Sequence, residues 1–366
     1  MENKIKVGII GTGNISPAYF KGCRAFDILD LVACADIDLE KARHAQQEYN
    51  IPKVYSVEDL LADPEIQIVI NLTIPAVHAG VSLSILQAGK HVYSEKPFAV
   101  KLEDGQKILQ LAQEKGLRTG CAPDTFMFGP HQTCRKLIDD GAIGQPVAAS
   151  AHMASHGPEA WHPNPDFFYQ VGGGPLFDMG PYYITCLVNL LGAVKRVAAS
   201  TRISFPERVA ESKGNEGRRL KVDVPTHYAG VLDFASGAVA SYIVSFDVWK
   251  HHLPMMEVYG SEGSLSVPDP NGYSKDVGVS KRGGDWQIMP QTHREEWARG
   301  IGVADMAYGI LYGRPHRATG EMAYHVLEVM HAFEQASTSG QHVMIQSSIE
   351  RPQALPTGLQ ARVLDQ

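Results

Sequence analysis

The fold is decided by the stretch Val7-Gly8-Ile9-Ile10-Gly11-Thr12-Gly13-Asn14-Ile15-Ser16. It has the pattern of a buried strand, a glycine turn of the form G-x-G-x-x-small, and the start of a helix. Glycines at such a turn let the backbone approach a pyrophosphate, which the N–H groups and dipole of the helix N-terminus stabilise. The glycine pattern alone is weak, so its weight comes from this context. We therefore expect a dinucleotide to be bound by Gly11, Thr12, Gly13, Asn14 and Ile15.

Short apolar runs alternate with helical patterns over the first 123 residues. Strands are predicted at residues 4–10, 29–35, 66–71, 91–94 and 118–121, and helices at residues 77–88 and 102–114. Short buried strands that alternate with helices are typical of a doubly wound parallel sheet. We therefore expect residues 1–123 to form an α/β Rossmann domain that binds a nicotinamide dinucleotide.

The pattern changes after Pro123. Alternation typical of strands occurs at residues 147–152, 194–203, 226–234, 238–246 and 255–259, with a helical pattern at residues 176–190. Two further helical patterns, at residues 302–311 and 321–335, are predicted to close the structure. We expect residues 124–366 to form an α+β domain with a mostly antiparallel sheet.

Composition and charge exclude several classes of protein. The 366 residues are 44% hydrophobic and 20% charged, which is ordinary globular material. No run approaches the roughly twenty apolar residues of a membrane span, and a charged N-terminus leads directly into a strand, so we expect a cytoplasmic protein without a membrane partner. A net charge of -7 argues against nucleic acid. The five cysteines lack CxxC clustering and the histidines lack zinc-motif spacing, so no metal is expected.

An aspartate at the end of the second predicted strand indicates which dinucleotide is bound. The Asp36 carboxylate is placed to accept hydrogen bonds from the adenosine ribose hydroxyls and to repel a 2′-phosphate. Ile37 and Asp38 follow it, where an NADP site would have an arginine. NAD is therefore favoured over NADP. The alternative is a tight glycine turn beside a surface aspartate.

The segment after the strand at residues 66–71 is expected to border the same cofactor. Loops at the carboxyl ends of parallel strands face the ligand, so Thr73 and Pro75 are predicted cofactor contacts. His78 is included with them, although a packing role at the start of a helix is its alternative.

A second informative element is Gly89-Lys90-His91-Val92, followed by Glu95-Lys96-Pro97. Together with Gly11, Gly13, Asp36 and residues 73–78, it resembles the glucose-fructose oxidoreductase / inositol dehydrogenase / MocA family, over most of the chain. The resemblance implies a Rossmann domain followed by a domain with a large open-faced sheet, so that residues 124–366 would bind substrate and mediate oligomerisation. It also implies a nicotinamide-dependent enzyme that acts on a sugar, polyol or related carbonyl, and a homodimer or homotetramer formed through that sheet.

The chemistry of Glu95-Lys96-Pro97 agrees with that resemblance. An ammonium near the nicotinamide stabilises a developing alkoxide or makes a neighbouring acid stronger, and Glu95 can anchor the lysine. We expect Lys96 to be catalytic and both residues to border the cofactor. The alternative is a surface ion pair at a strand end.

The family's second signature, Asp-x-Gly-x-His-x-x-Asp, corresponds to residues 178–185, with Tyr182 at the histidine position and Thr185 at the final aspartate. This departure disfavours a histidine base. A tyrosine at this position resembles the glucose-fructose oxidoreductase and dihydrodiol dehydrogenase branch of the family, in which a tyrosine transfers the proton. A free phenol titrates near pH 10, so Tyr182 would need help from Lys96. Tyr183 and His162 are competing candidates for the acid–base.

Aromatic faces and imidazole donors suit sugar rings, which combine apolar C–H faces with hydroxyl rims. The residues expected to bind substrate are Lys96, Asp124, Trp161, His162, Asp178, Tyr182 and His227, with Asp178 also in the catalytic set. Family members often have an arginine near Asp124, which makes it a second departure.

Three functions fit these patterns. The first is an NAD-dependent oxidoreductase that moves a hydride between nicotinamide and a carbohydrate hydroxyl or carbonyl, with Tyr182 and Lys96 as above. The second is an NAD-dependent glycoside hydrolase that acts by transient oxidation, elimination and re-reduction. The third, a non-catalytic dinucleotide-responsive regulator, is disfavoured because positions 96, 178 and 182 are chemically competent.

Overall fold

The computed structural model describes residues 4–272, 274–294 and 298–365. The described residues divide into two compact units. The first contains those up to Gly129, those between His293 and Tyr324, and those from Pro352 onward; the second contains residues 130–292 and 325–351.

The first unit is built on a six-stranded parallel sheet. Its strands are Ile5–Ile10 (β1), Leu29–Ala35 (β2), Lys53–Tyr55 (β3), Ile68–Asn71 (β4), His91–Ser94 (β5) and Thr119–Cys121 (β6). The helices between them are Ser16–Cys23 (α1), Leu39–Tyr49 (α2), Val57–Ala62 (α3), His78–Gln87 (α4) and Leu102–Lys115 (α5), with a 3-10 turn at Pro75–Val77. The strand order is β3-β2-β1-β4-β5-β6. The order reverses between β1 and β4, where doubly wound folds bind their ligands.

Burial explains why these short segments become strands. Ile5, Val7 and Ile9 of β1 and Ile68 and Ile70 of β4 are completely buried, as the central strands of a parallel sheet must be.

The helices that cover this sheet are capped by local chemistry. The Asp38 carboxylate accepts hydrogen bonds from the backbone N–H groups of Glu40 and Lys41 at the start of α2. Helix α5 ends at Gly116, whose left-handed backbone suits glycine.

The second unit contains a nine-stranded sheet and a two-stranded hairpin. The elements that follow β6 in the chain are Gly129–Asp139 (α6), Pro146–Ala154 (β7), Gly174–Leu191 (α7), Val194–Arg202 (β8), Glu207–Val209 (β9), Arg219–Lys221 (β10), His227–Phe234 (β11), Val239–Ser245 (β12), Met256–Gly260 (β13), Gly263–Val267 (β14), Gly278–Lys281 (β15), Gln287–Ile288 (β16), Ile301–Tyr312 (α8), Gly320–Ser339 (α9) and Val343–Met344 (β17). All of them lie in the second unit except α8 and the starts of α6 and α9. The large sheet has the order β16-β15-β14-β13-β7-β12-β11-β8-β17. Its pairs are antiparallel except for β7 with β12. Three 3-10 turns lie at Thr125–Met127, Pro158–Ala160 and Asp166–Tyr169.

The large sheet has one buried and one open face. Tyr228 of β11 and Tyr242 of β12 lie on the buried face, where both rings contact Phe333 of α9. Val231 and Val239 lie on the opposite face of the same two strands and are exposed. This alternation is typical of an antiparallel sheet with one covered face.

The predicted fold class is therefore confirmed, a Rossmann-like parallel sheet followed by a domain with a large, mostly antiparallel sheet. The predicted domain of residues 124–366 does not form one continuous unit, because α8 and the residues from Pro352 onward pack with the first unit. One reason is that Asp124 caps the start of α8 through the backbone N–H groups of Gly300 and Gly302. In the described part of the chain, no helix combines the length and apolar character needed to span a membrane.

Candidate active site

The glycine loop between β1 and α1 leaves room for an anion. Gly11 has a φ of +101°, and a Cβ there would lie 2.7 Å from the carbonyl carbon and oxygen of Leu72, so the turn requires glycine. Gly13 is exposed, and no described atom lies within 4 Å of the place where its Cβ would be. The Ser16 hydroxyl donates to the Gly13 carbonyl at 2.8 Å and fixes the entry into the helix. These residues fit the pyrophosphate of a dinucleotide.

The Asp36 carboxylate is held beside that loop. Its Oδ2 accepts hydrogen bonds from the Thr12 backbone N–H at 2.7 Å and from the Thr12 hydroxyl at 3.0 Å, and its Oδ1 accepts from the Asp38 N–H at 2.9 Å. A carboxylate has about four lone-pair positions, so one remains for a ribose hydroxyl. Asp36 is partly exposed and the neighbouring Ile37 is 99% exposed. The site therefore fits an adenosine ribose.

The loop after β4 is held by Asn71. Its Oδ1 accepts from the Thr73 hydroxyl at 2.7 Å, while its Nδ2 donates to the His78 carbonyl at 3.0 Å and to the Ser82 hydroxyl at 3.1 Å. Thr73 and Pro75 are partly exposed on this loop. Their predicted contact with the cofactor stays a prediction.

His78 points into the protein. It is buried, with Nδ1 2.9 Å from the Pro97 carbonyl oxygen and Nε2 2.7 Å from the Thr73 carbonyl oxygen. Burial lowers the pKa of His78 below its usual value. The imidazole thus joins two loops of the first unit, and this placement does not support the expected contact between its side chain and the cofactor.

The Glu95-Lys96-Pro97 segment follows β5 at the carboxyl edge of the sheet. The buried Glu95 carboxylate accepts from the Tyr19 hydroxyl of α1 at 2.8 Å and from the Lys96 backbone N–H at 2.9 Å. Burial, together with the Glu95 charge, raises the pKa of Tyr19 well above its usual value, so the phenol stays a donor. Glu95 therefore anchors the backbone of Lys96, whose side chain is half-buried. This internal carboxylate does not support the expected contact of Glu95 with the cofactor.

Asp124 has a role that the sequence did not suggest. It is completely buried, and its Oδ2 accepts from the backbone N–H groups of Gly300 at 2.9 Å and Gly302 at 3.1 Å. Burial raises the pKa of this carboxyl group. Its carboxylate caps α8. This placement does not support the expected contact of Asp124 with substrate, because its Oδ2 is used at a helix end inside the first unit.

In the second unit, α7 carries Asp178 and Tyr182. Residues four apart lie on one face of a helix, so these two side chains are neighbours. Asp178 is partly exposed, and Tyr182 is 6% exposed. Pro181 lies inside the helix and has no N–H to donate to the Phe177 carbonyl.

The adjacent Tyr183 faces the core. It is completely buried, its hydroxyl donates to Asp269 Oδ1 at 3.1 Å, and its ring stacks on Tyr242 with the centroids 5.9 Å apart. Burial raises the pKa of Tyr183 far above its usual value. Tyr183 is therefore a packed aromatic, and this disfavours it as a proton-transfer group.

The loop between β7 and α7 presents aromatic side chains. Trp161 is 67% exposed, and its ring meets His162 edge-on at 5.4 Å. His162 Nδ1 accepts from the Asn164 N–H at 3.0 Å, and its ring also contacts Phe167 and Phe168 edge-on. The Nδ1 lone pair is thus used within the loop.

His227 lies at the start of β11. Its Nδ1 is 2.9 Å from the Ser245 hydroxyl of the neighbouring strand. In the described ranges 4–272, 274–294 and 298–365, no group of three or more His, Cys, Asp or Glu side chains could hold a metal ion.

A buried ion pair that the sequence analysis missed supports this loop. The Arg208 guanidinium contacts the Glu159 carboxylate at 2.6 Å and the Asp247 carboxylate at 2.7 Å, and the Tyr169 hydroxyl also donates to Glu159. All these groups lie in the interior of the second unit. No local signal marks them, because Arg208 and Glu159 lie 49 residues apart.

Comparisons with known proteins agree with this architecture. Residues 5–122 match the family model described as "Oxidoreductase family, NAD-binding Rossmann fold", and residues 131–266 match the GFO/IDH/MocA C-terminal domain. The chain belongs to the GFO/IDH/MocA oxidoreductase family. The predicted resemblance is confirmed.

The proteins similar to this chain include some that are named as enzymes acting on carbohydrates or diols. The chain is 32% identical to trans-1,2-dihydrobenzene-1,2-diol dehydrogenase of Xenopus tropicalis, over 75% of this chain and 86% of the relative. It is 29% identical to 1,5-anhydro-D-fructose reductase of Ensifer adhaerens, over 70% of this chain and 74% of the relative. A solved structure of levoglucosan dehydrogenase with NADH and L-sorbose has a TM-score of 0.82 at 20% identity, and covers 94% of this chain and 99% of that one. The latter similarity shows the shared fold.

Proposed function

We propose that this protein is an NAD-dependent oxidoreductase that transfers a hydride between nicotinamide and a hydroxyl or carbonyl group of a sugar, polyol or related carbohydrate. The observation that carries the proposal is the Glu95 anchor, which holds the backbone of Lys96 at the carboxyl edge of the sheet where doubly wound folds bind ligands. The names of the relatives support the substrate class.

The acid–base chemistry is assigned to the tyrosine branch of the family. When bound, NAD supplies the ring that accepts or returns the hydride. Tyr182 takes the hydroxyl proton as the carbinol is oxidised and returns it in the reverse direction. Lys96 assists Tyr182 by stabilising the negative charge that develops on oxygen. The commitment of Tyr183 to Asp269 supports the choice of Tyr182.

The preference for NAD is assigned to Asp36. Its carboxylate is fixed by Thr12 and Asp38, so a 2′-phosphate on the ribose would meet a charge that cannot easily turn away. This supports NAD over NADP as the cofactor.

The substrate is assigned to polar and aromatic groups of the second unit. Asp178 and His162 orient hydroxyl groups, Trp161 offers an exposed aromatic face to a sugar ring, and His227 is a further hydrogen-bonding group.

The oligomeric state and the cellular location of the protein are proposed from two further observations. We propose a homodimer or homotetramer formed through the open sheet face, supported by the exposed Val231 and Val239. We also propose a cytoplasmic location, supported by the five cysteines, which are all buried thiols.

Paired tyrosine variants test the proposal. Tyr182→Phe keeps the ring and removes the hydroxyl, so we expect turnover to fall roughly a hundredfold or more while NAD affinity and melting temperature stay unchanged. Tyr183→Phe is the matched control, which should lose stability through the lost bond to Asp269 and keep turnover within a few-fold. If Tyr182→Phe keeps wild-type turnover, or if turnover is lost in Tyr183→Phe or His162→Ala, the wrong residue has been assigned as the acid–base group.

A further inference from the structure

The Lys96 segment is fastened through a buried carboxylate. Glu95 Oε1 accepts from the Tyr19 hydroxyl at 2.8 Å, and Glu95 Oε2 accepts from the Lys96 backbone N–H at 2.9 Å. Tyr19 is completely buried in α1, the helix that starts at the glycine loop. A carboxylate without enough donors in such a place is costly, so the two hydrogen bonds hold the carboxylate in one orientation.

The backbone on either side of Lys96 is fastened by different residues. The His78 imidazole lies 2.9 Å from the Pro97 carbonyl oxygen, and the Glu95 backbone N–H donates to the Asn71 carbonyl at 2.9 Å. The Lys96 N–H donates to the Glu95 carboxylate, and this bond holds the Lys96 backbone between those two attachments. That contact depends on the orientation of the carboxylate and therefore on Tyr19.

We propose that Tyr19 is a positioning residue for the reaction, which acts through Glu95 to hold Lys96 in its working position. This inference rests on the proposed role of Lys96. A displacement of about 1 Å at a catalytic group can cost up to roughly a hundredfold in rate, so the loss of one buried hydrogen bond in this chain of contacts is measurable in turnover.

The neighbouring Tyr93 provides a matched control. Tyr93 of β5 is also completely buried, and burial, with contributions from Asp124 and Glu95, raises its pKa well above the usual value. Among the described residues its hydroxyl has no hydrogen-bond partner. Tyr93→Phe therefore removes a buried phenol hydroxyl beside the same charges without removing a bond to Glu95.

The first measurement needs no cofactor or substrate. Amide hydrogen exchange at Lys96 reports directly on its bond to Glu95. We expect the exchange to become at least roughly tenfold faster in Tyr19→Phe and to stay at the wild-type rate in Tyr93→Phe. Equal exchange in the two variants would overturn the positioning role.

The second measurement is a set of kinetic variants, assayed with the best substrate of a sugar and polyol panel. We expect Tyr19→Phe to lower kcat roughly tenfold, with KM and the calorimetric Kd of NAD changed less than about twofold, and Tyr93→Phe to keep wild-type values. In a Lys96→Met background, adding Tyr19→Phe should lower kcat no further, because the group that it positions is gone. Glu95→Leu, which removes both acceptor oxygens, should lower kcat at least as much as Tyr19→Phe if the latter variant fails to fold.

The outcomes separate the two claims. If Lys96→Met keeps wild-type turnover, the proposed role of Lys96 is wrong. If Lys96→Met is slow while Tyr19→Phe and Tyr93→Phe are equally active, the role of Lys96 stands and the positioning role of Tyr19 is overturned. A further loss from Tyr19→Phe in the Lys96→Met background would also overturn it.

Discussion

Exchanging the charge at the end of β2 should reverse the cofactor preference. The change is Asp36→Ser combined with Ile37→Arg, which removes a fixed carboxylate and adds a cation at a side chain that is 99% exposed. No packing is lost at position 37. The donors of Thr12 and Asp38 that hold the carboxylate lie at a partly exposed site, where water can replace it.

The magnitude follows from the exposure of Asp36. Two unit charges 4 Å apart interact by about 1 kcal/mol in bulk water and about 4 kcal/mol at an effective dielectric constant near 20. Because Asp36 is partly exposed, we expect about 2 kcal/mol of repulsion with a 2′-phosphate. The wild type should therefore bind NADH roughly thirtyfold more tightly than NADPH. An arginine at position 37 that binds the phosphate adds about 1.5–3 kcal/mol, enough to reverse the order.

Calorimetric titration of NADH and NADPH at one ionic strength measures this reversal. Asp38→Asn is the matched control, because it removes the same charge two residues away and keeps a capping side chain for α2. We expect it to change the preference by only a few-fold. Equal binding of both dinucleotides by the wild type, or an equal shift in Asp38→Asn, would refute the role of Asp36.

Two further predictions concern the second unit. His325 is completely buried, with Nε2 accepting from the Val194 N–H at 3.0 Å, and burial lowers its pKa to about 4. The imidazole of the unfolded chain titrates near 6.5, so the stability that His325 contributes is complete above that pH and is lost as the pH falls toward 4. In urea unfolding, the wild type should lose about 2 kcal/mol more unfolding free energy than His325→Gln between pH 7 and pH 5. The control is His342→Gln, at an exposed site, which should show the same pH dependence as the wild type. Separately, Val231→Lys should shift the sedimentation profile from oligomer to monomer, because it places a charge on the open sheet face; an unchanged profile would contradict assembly through that face.

Local patterns were sufficient to predict where the glycine loop and Asp36 lie in the fold. The glycine loop and Asp36 lie at the two strand ends where the sequence puts them, because strand, turn and helix signals are set by neighbouring residues. By contrast, Asp124 accepts hydrogen bonds from the backbone N–H groups of Gly300 and Gly302, more than 170 residues away in the chain. No local pattern shows that a buried carboxylate will cap a distant helix.

The packing of Tyr183 was also beyond local pattern. Neighbouring residues point about 100° apart around a helix, so the apolar character of α7 leaves either side chain free to face the core. The stacking of Tyr183 on Tyr242 of β12 depends on how the sheet packs on the helix. The same holds for Tyr19, whose partner Glu95 is 76 residues away.

The most direct test of the account is an incubation of the purified protein with NAD and a panel of polyols, free sugars and glycosides. NADH absorbance and release of aglycone are followed together, and the products are analysed by mass spectrometry. We predict NADH formed in equal amount to a carbohydrate that has lost two hydrogens, with no aglycone released. Release of aglycone and free sugar without accumulation of NADH would contradict the proposal and indicate the redox-neutral glycoside hydrolase instead.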